Sequence, residues 1–401
     1  MNEDGPMNQT VIKLGFISFF ADIASEMLYP ITPIFLTTLL GVSMSSLGLI
    51  EGIAEATASL LKTFSGSWSD RAGTRKPFIF VGYFLGAISK PLIGVSSTWI
   101  DVLFARGLDR TGKGIRSAPR DALIADSVGS KHRGTAFGFH RAMDTVGAAV
   151  GPLLALYLLR LHPGDLRSLY FWALIPGLFS VVVVFALREK KKYSSPEPRA
   201  KPVWKNPCIF WRELDSNLKK YFVAWGLFSV ANSSDVFLLL KAKSSGFTTE
   251  RVILLYCVYN LTSAASSVFF GTLSDRIDRK KIMIAGLVIF ALVYTGFSFA
   301  ESQWMFWILF FVYGTYVGAT DGVGKALAVD FSPKDSKGTT LGILGTITGI
   351  TTVFASVIAG LLWDHFGPGY AFLYGAAGAS VAALMLTTSN RGPGLPRALP
   401  S

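Results

Sequence analysis

The sequence predicts an all-α membrane protein of twelve transmembrane helices in two pseudo-symmetric six-helix halves. Composition is the first reason: of 401 residues, 51% are hydrophobic and only 16% charged, with a mean hydropathy of +0.44. A soluble domain is not that apolar. The second reason is that runs long enough to cross a ~30 Å hydrocarbon core recur twelve times along the chain. The third is that two unrelated motifs return at nearly the same step.

The runs fall near residues 11–39, 44–68, 77–97, 99–124, 135–160, 168–187, 221–241, 250–273, 281–300, 303–328, 338–362 and 369–388. The first ten residues are polar, with Glu3 and Asp4, and the first run is too long for the apolar part of a cleaved signal. It is expected to remain as span one.

Lys and Arg assign the sides. The loops after spans two, four, eight and ten carry Arg71, Arg75 and Lys76; Lys131 and Arg133; Arg276, Arg279, Lys280 and Lys281; and Lys334 and Lys337. The opposite loops are poorer, holding mainly Arg160, Arg167, Lys241, Lys243 and Arg251. The positive-inside rule then places both termini in the cytoplasm of a cell whose plasma or inner membrane the chain crosses many times. The same rule accounts for the net charge of +12, so nucleic acid is not an expected partner. Cys208 and Cys257 form neither a disulfide framework nor a metal site, and nothing in the chain demands a cofactor.

Residues 1–187 form the expected N-terminal bundle and 221–390 the C-terminal bundle, with 391–401 a cytoplasmic tail. Between the bundles, 188–220 is a basic linker opening with REKKK and holding Pro196, Pro198 and Pro202. Asn206 and Pro207 read as the start of a short interfacial helix, or else the whole linker is a tether.

The internal repeat is explicit. GSWSDRAGTRK from Gly66 returns as GTLSDRIDRKK from Gly271, a step of 205 residues, and RGTAFGF from Arg133 returns as KGTTLGI from Lys337, a step of 204. Duplicated six-helix units of this kind occur in transporters whose site lies at the repeat interface. In each loop a glycine lets helices turn or approach closely, while the aspartate can cap a helix and pair with arginine. Such contacts would hold cytoplasmic ends together in one conformation and part in another.

These motifs resemble the major facilitator superfamily, and the likeness covers nearly the whole chain. Gly66, Asp70, Arg71, Gly73, Arg75 and Lys76 are similar to its signature loop between spans two and three, with Thr74 in place of a basic residue. The second copy keeps Gly271, Asp275, Arg276, Arg279 and Lys280, with Asp278 where the glycine stood. Pro30 and Pro33 resemble the PxxP element of span one, which bends the helix. Gly147, Gly151 and Pro152 resemble the GxxxGP element of the drug and metabolite:proton antiporter branch, where small residues allow close packing. Arg106, Gly112 and Gly114 sit like the arginine and glycines of the span-four motif, with Asp109 and Arg110 replacing its polar-glycine pair. The resemblance implies the twelve-helix fold and transport of a small molecule, as a monomer, without enzymatic activity.

Span four carries the least expected residues. Arg106, Arg110, Lys113 and Arg120 recur at helical spacing with Ser117 in the gap, so a helix presents them as one stripe. A charge at the bilayer centre costs about 2.5–3.5 kcal/mol even on the lenient scale, so the stripe must face water or protein. Acids stand on other spans that would line the cavity: Asp22 and Glu26 on span one, Glu51 and Glu55 on span two beside Lys62, Asp144 on span five near His140 and Arg141, Asp235 on span seven, and Asp321 with Lys325 on span ten. Spans three, six, nine and twelve are expected to be peripheral and almost free of interior charge.

The expectation is secondary active transport of a small organic solute by alternating access, coupled to protons, with Asp22, Glu26 or Glu55 carrying the proton and Arg110 and Lys113 alternating between an acid and the substrate. The stripe points to an anionic or zwitterionic solute, and the span-five element favours export by antiport over uptake by symport. A membrane receptor or assembly subunit on the same fold is the rival from another class. Enzyme motifs are not evident: His132 and His140 have no third ligand, and no hydrolase elbow or HExxH is present.

Overall fold

The computed structural model describes residues 8–128, 133–187, 189, 214–274, 276–332 and 337–388, and all regular structure among them is helical. Every span expected from hydropathy is present. Span one runs Gln9–Glu26 and resumes as Thr32–Ile34 with a π-helical turn, Phe35–Leu39. Spans two to six are Met44–Ala72, Lys76–Val95, Trp99–Ser127, Arg133–Leu161 and Leu166–Phe185. Span seven is Ser216–Ala231 followed by Val236–Ser244. Spans eight to twelve are Thr249–Leu273, Arg279–Phe299, Gln303–Asp330, Lys337–Phe366 and Pro368–Thr387.

Local chemistry sets the ends. Asn8 Oδ1 accepts from the Val11 amide at 2.9 Å to start span one. Thr98 and Asp101 form a reciprocal capping box at the start of span four. Asp165, Asp215 and Asp278 cap spans six, seven and nine. The bend expected from Pro30 and Pro33 is a full interruption: helix ends at Glu26, a turn covers Met27–Ile31, and Pro33 sits in the first turn of the segment that follows. Span seven, expected as one helix, is also broken. Asn232, Ser233, Ser234 and Asp235 stand consecutively there, and short polar side chains compete with the helical ladder for backbone groups.

By length and composition alone, eight helices among the described residues are apolar enough to cross a membrane. Spans one, two, four and ten are not among them, and each bears ionisable residues in its interior.

The chain divides into two compact units, Met1–Ser194 with Ser234–Asn260, and Ser195–Ser233 with Leu261–Ser401. In the first, span four packs on spans two and three, and span one packs on spans five and six. Glycines set the closest approaches. A Cβ at Gly147 would lie 2.7 Å from the Phe19 carbonyl oxygen, and one at Gly151 would lie 2.8 Å from that of Ile23. The GxxxG spacing therefore seats span five directly on the backbone of span one. Below this seam Val11, Leu14, Ile17, Ile79, Tyr83 and Ile124 form a buried apolar core.

In the second unit span nine packs on spans ten and twelve, around a core of rings: Phe290 against Tyr294 at 3.9 Å, Phe228 at 5.0 Å and Tyr316 at 4.8 Å. The two units repeat each other in contact as well as in sequence. Gly114 is closed off by Leu61 and Ala58 of span two, and Gly318, 204 residues later, by Ser266 and Ser267 of span eight.

The interfacial helix expected after Asn206, Cys208, the 391–401 tail, Lys131, His132, Lys334 and the gate residue Asp275 lie outside the described residues, as does the side chain of Asp70.

Candidate functional site

The stripe on span four is largely met by acids. Arg106 is buried and paired with Glu51 of span two. Arg110 lies 3.5 Å from Glu55 and 4.0 Å from Asp109, and Arg120 donates to Asp121 at 2.9 Å and to Ser18 Oγ at 3.1 Å. Lys113 differs. It is exposed, and its ammonium has no ion-pair partner among the described residues. It lies close enough to Glu55, Asp22 and Glu26 to interact with all three.

Span one supplies the facing acids. Asp22 is half-buried and, among the described residues, has neither a hydrogen bond nor an ion pair; Arg116, Lys113, Arg120 and Arg141 are within electrostatic reach. Glu26 accepts a hydrogen bond from Tyr256 at 2.6 Å. The Tyr256 ring stacks on Tyr29 with centroids 5.0 Å apart, and neighbouring Tyr259 donates to Asp235 at 3.0 Å. Two carboxylates and three phenol rings thus share one cluster within the first unit.

Asp144 lies 3.5 Å from His140 Nδ1. His140 Nε2 is 2.7 Å from Ser18 Oγ, which is 3.0 Å from the Tyr83 hydroxyl. Asp321 and Lys325 on span ten pair with each other at 2.6 Å, both more than half exposed. Their charges are therefore mutually compensated.

Sequence reasoning missed Lys90, Arg116, Tyr256 and Tyr259. Span three, expected to be almost free of interior charge, carries one such residue: Lys90 is 5% exposed and its ammonium lies 2.5 Å from Asp109. A single lysine inside an apolar run was the available signal. Arg116 falls off the stripe by one position and lies over the Tyr83 ring at 4.0 Å. The tyrosines come from an otherwise apolar helix, and only the fold brings them to Glu26.

The loop motifs have matching geometry in each unit. Arg75 reaches Asp126 at 3.1 Å, and Arg279 reaches Asp330 at 2.8 Å, each pair joining the start of an odd span to the end of span four or ten. Glu189 accepts from the Arg75 and Lys76 amides at 2.6 and 3.0 Å, and Lys76 Nζ donates to the Phe185 and Leu187 carbonyls. Lys280 donates to the Thr387 carbonyl at 3.4 Å. The second copy is one residue shorter. Gly73 turns the first loop at φ 66°, a left-handed conformation suited to glycine, whereas Asp278 makes the second turn by capping span nine, accepting from the Lys280 amide at 2.9 Å. A Cβ on Gly66 would lie 3.2 Å from Ala118 of span four, one on Gly271 would meet open space, and Arg71 and Arg276 are exposed.

A twelve-helix, two-unit fold with a charged interior defines a multi-pass membrane transporter. The family model described as Major Facilitator Superfamily matches residues 14–258 and 222–400, and the chain belongs to that family. It is 34% identical over 389 residues to the uncharacterized MFS-type transporter MJ1317 of Methanocaldococcus jannaschii, covering 96% of this chain and 95% of that one. Multidrug resistance protein 2 of Bacillus subtilis is 23% identical over 358 residues, covering 86% of each. Among solved structures, a variant of the nucleoside transporter NupG superposes with a TM-score of 0.80 at 12% identity, over 95% of this chain and all of that one. This last likeness speaks to fold alone.

Proposed function

We propose that the protein exports a small zwitterionic organic solute in exchange for protons by alternating access, from an orientation with both termini in the cytoplasm of a cell. One observation carries the reading. Of the midplane group Asp22, Glu26, Glu55, Arg110, Lys113 and Asp144, only Asp22 and Lys113 have no hydrogen-bonding or ion-pairing side chain among the described residues, and they lie within electrostatic reach of each other. Lys113 receives the anionic group of the solute. Asp22, with Glu26 beside it, receives either the cationic group or a proton.

That competition is what makes exchange possible: a carboxylate neutralised by a proton no longer attracts an ammonium, so the two occupants alternate. Because Arg106, Arg110 and Arg120 already face acids, Lys113 is the one cation of the span-four stripe left without an acid partner among the described residues, which supports a zwitterion over a purely anionic solute. The match to Multidrug resistance protein 2 is in keeping with export. The two loop motifs, which carry the Arg75–Asp126 and Arg279–Asp330 pairs, serve as the cytoplasmic gate.

The test uses purified protein in liposomes that contain a pH-sensitive dye, with amino acid-like zwitterions, organic anions, organic cations and neutral drugs offered across an imposed proton gradient. Proton movement opposite to a zwitterion supports the reading. Movement in the same direction would replace antiport with symport, and tight binding without any flux would favour a receptor.

A further inference from the structure

Spans one, three, four and six of the first unit line a small, partly open cavity of about 10 Å³, the least that holds one water-sized occupant. Ser25, Tyr83, Lys90, Arg116 and Ser180 line it, and the remaining wall is alanine and glycine. Lys90 and Arg116 are 5% and 9% exposed. Lys90 gives a hydrogen to Asp109, while Arg116, among the described residues, makes neither a hydrogen bond nor an ion pair and rests over the Tyr83 ring. An ammonium has three donors and a guanidinium five. Most of these eight therefore have no protein acceptor among the described residues. Two cations against one carboxylate also leave the wall of the cavity with an excess positive charge, and Asp22 and Asp144 act on Arg116 only at a distance.

The second unit shows what this helix crossing needs in order to fold. At the repeat step of 204 residues, Lys90, Asp109 and Arg116 correspond to Tyr294, Tyr313 and Thr320. The correspondence is geometric too: a Cβ on Gly82 would meet Arg116, and one on Gly286 would meet Thr320. There the seam is filled by rings, with Tyr294 and Tyr313 centroids 6.0 Å apart and Phe290 stacked beside them. An uncharged seam closes the same crossing, so the three charges in the first unit answer to something other than packing. Burying a cation without a counter-charge is costly, and a ring face offsets only part of that cost.

We propose that this cavity binds one monovalent inorganic anion, a halide such as chloride, between Arg116 and Lys90, with the Ser25 hydroxyl beside it. So small a cavity favours a monatomic ion over sulfate, phosphate or an organic carboxylate. The excess charge selects an anion over water. Neither Lys113 nor Asp22 lines the cavity, so it is distinct from the solute site proposed above, although an occupant would weaken the positive field that Arg116 exerts on Asp22.

The test is thermal unfolding of the purified full-length protein in detergent, in sodium chloride, sodium bromide or sodium gluconate at equal ionic strength. Chloride and bromide are expected to raise the midpoint saturably, by about 2 °C or more, and gluconate is not. Arg116→Thr, which installs the second unit's residue, is expected to lose the response. An equal shift in gluconate, a flat response to halide up to about 0.3 M, or a full response in Arg116→Thr would overturn the proposal and leave the cavity to water. Should that variant fail to fold, Ser180→Leu fills the cavity with both cations in place; loss of the halide response supports the site, and retention overturns it.

Discussion

Breaking the Lys90–Asp109 pair should be the most damaging change among the buried charges of the first unit. The Lys90 ammonium lies 2.5 Å from Asp109, and the two side chains are 6% and 13% exposed. Removing one member of such a pair costs about 3–5 kcal/mol, because the partner keeps its desolvation without its attraction. Lys90→Met belongs near the lower end, about 3 kcal/mol, since Arg110 remains 4.0 Å from Asp109. Asp109→Leu strands an ammonium whose one ion-pair partner among the described residues is Asp109, and belongs near the upper end, about 5 kcal/mol. Those costs correspond to roughly a hundredfold to several thousandfold in the folding equilibrium. The double variant removes both charges and should return to within about 1 kcal/mol of the parent, as apolar replacements of buried pairs do. Denaturant unfolding in micelles, followed by tryptophan fluorescence and run in gluconate so that halide effects do not enter, measures all four corners of the cycle. Additive losses, with the double variant worse than either single, would refute the assignment of a compensating buried pair.

Three further outcomes follow from the same geometry. Gly151→Leu should separate spans one and five and cost about 3 kcal/mol or abolish folding, since even a Cβ there would lie 2.8 Å from a span-one carbonyl oxygen; unchanged unfolding would contradict the packing. Asp278→Ala should cost about 1 kcal/mol through loss of the cap on span nine, whereas Gly73→Val should cost about 1–2 kcal/mol through left-handed strain in the matching loop, and the same unfolding assay distinguishes them by the rescue of Asp278→Ala with Asn or Ser. Tyr256→Phe should leave stability within about 1 kcal/mol but weaken zwitterion transport several-fold, because Glu26 loses its donor; transport equal to the parent would separate Glu26 from the site.

Much of this was legible in the sequence, and the reasons it stopped where it did are physical. Span positions follow from apolar length, so each of the twelve is found within a few residues. The loop motifs carried their own register, including the change in step from 205 to 204, which the structure places where Gly73 gives way to Asp278. Spacing showed that the span-four cations share a face, but not which acids meet them. Lys90 and Asp109 are nineteen residues apart on different helices, and only the glycine-lined crossing of spans three and four brings them together. The break in span seven is written as four consecutive short polar residues, a signal that a hydropathy average blurs. Tyr256 carries no sequence mark at all, since a tyrosine in an apolar helix is ordinarily a packing residue.

The most direct test of the central claim asks whether Asp22 couples the solute to protons. Asp22→Asn, reconstituted beside the parent, is assayed for exchange of the transported zwitterion across the membrane without a pH gradient and for its uphill movement with one. The account predicts that gradient-driven accumulation and proton counterflow are lost, while exchange persists at weaker apparent affinity through Lys113 and Glu26, because a side chain that cannot ionise can no longer alternate between a proton and an ammonium. Gradient-driven transport at the parent level in Asp22→Asn would contradict it.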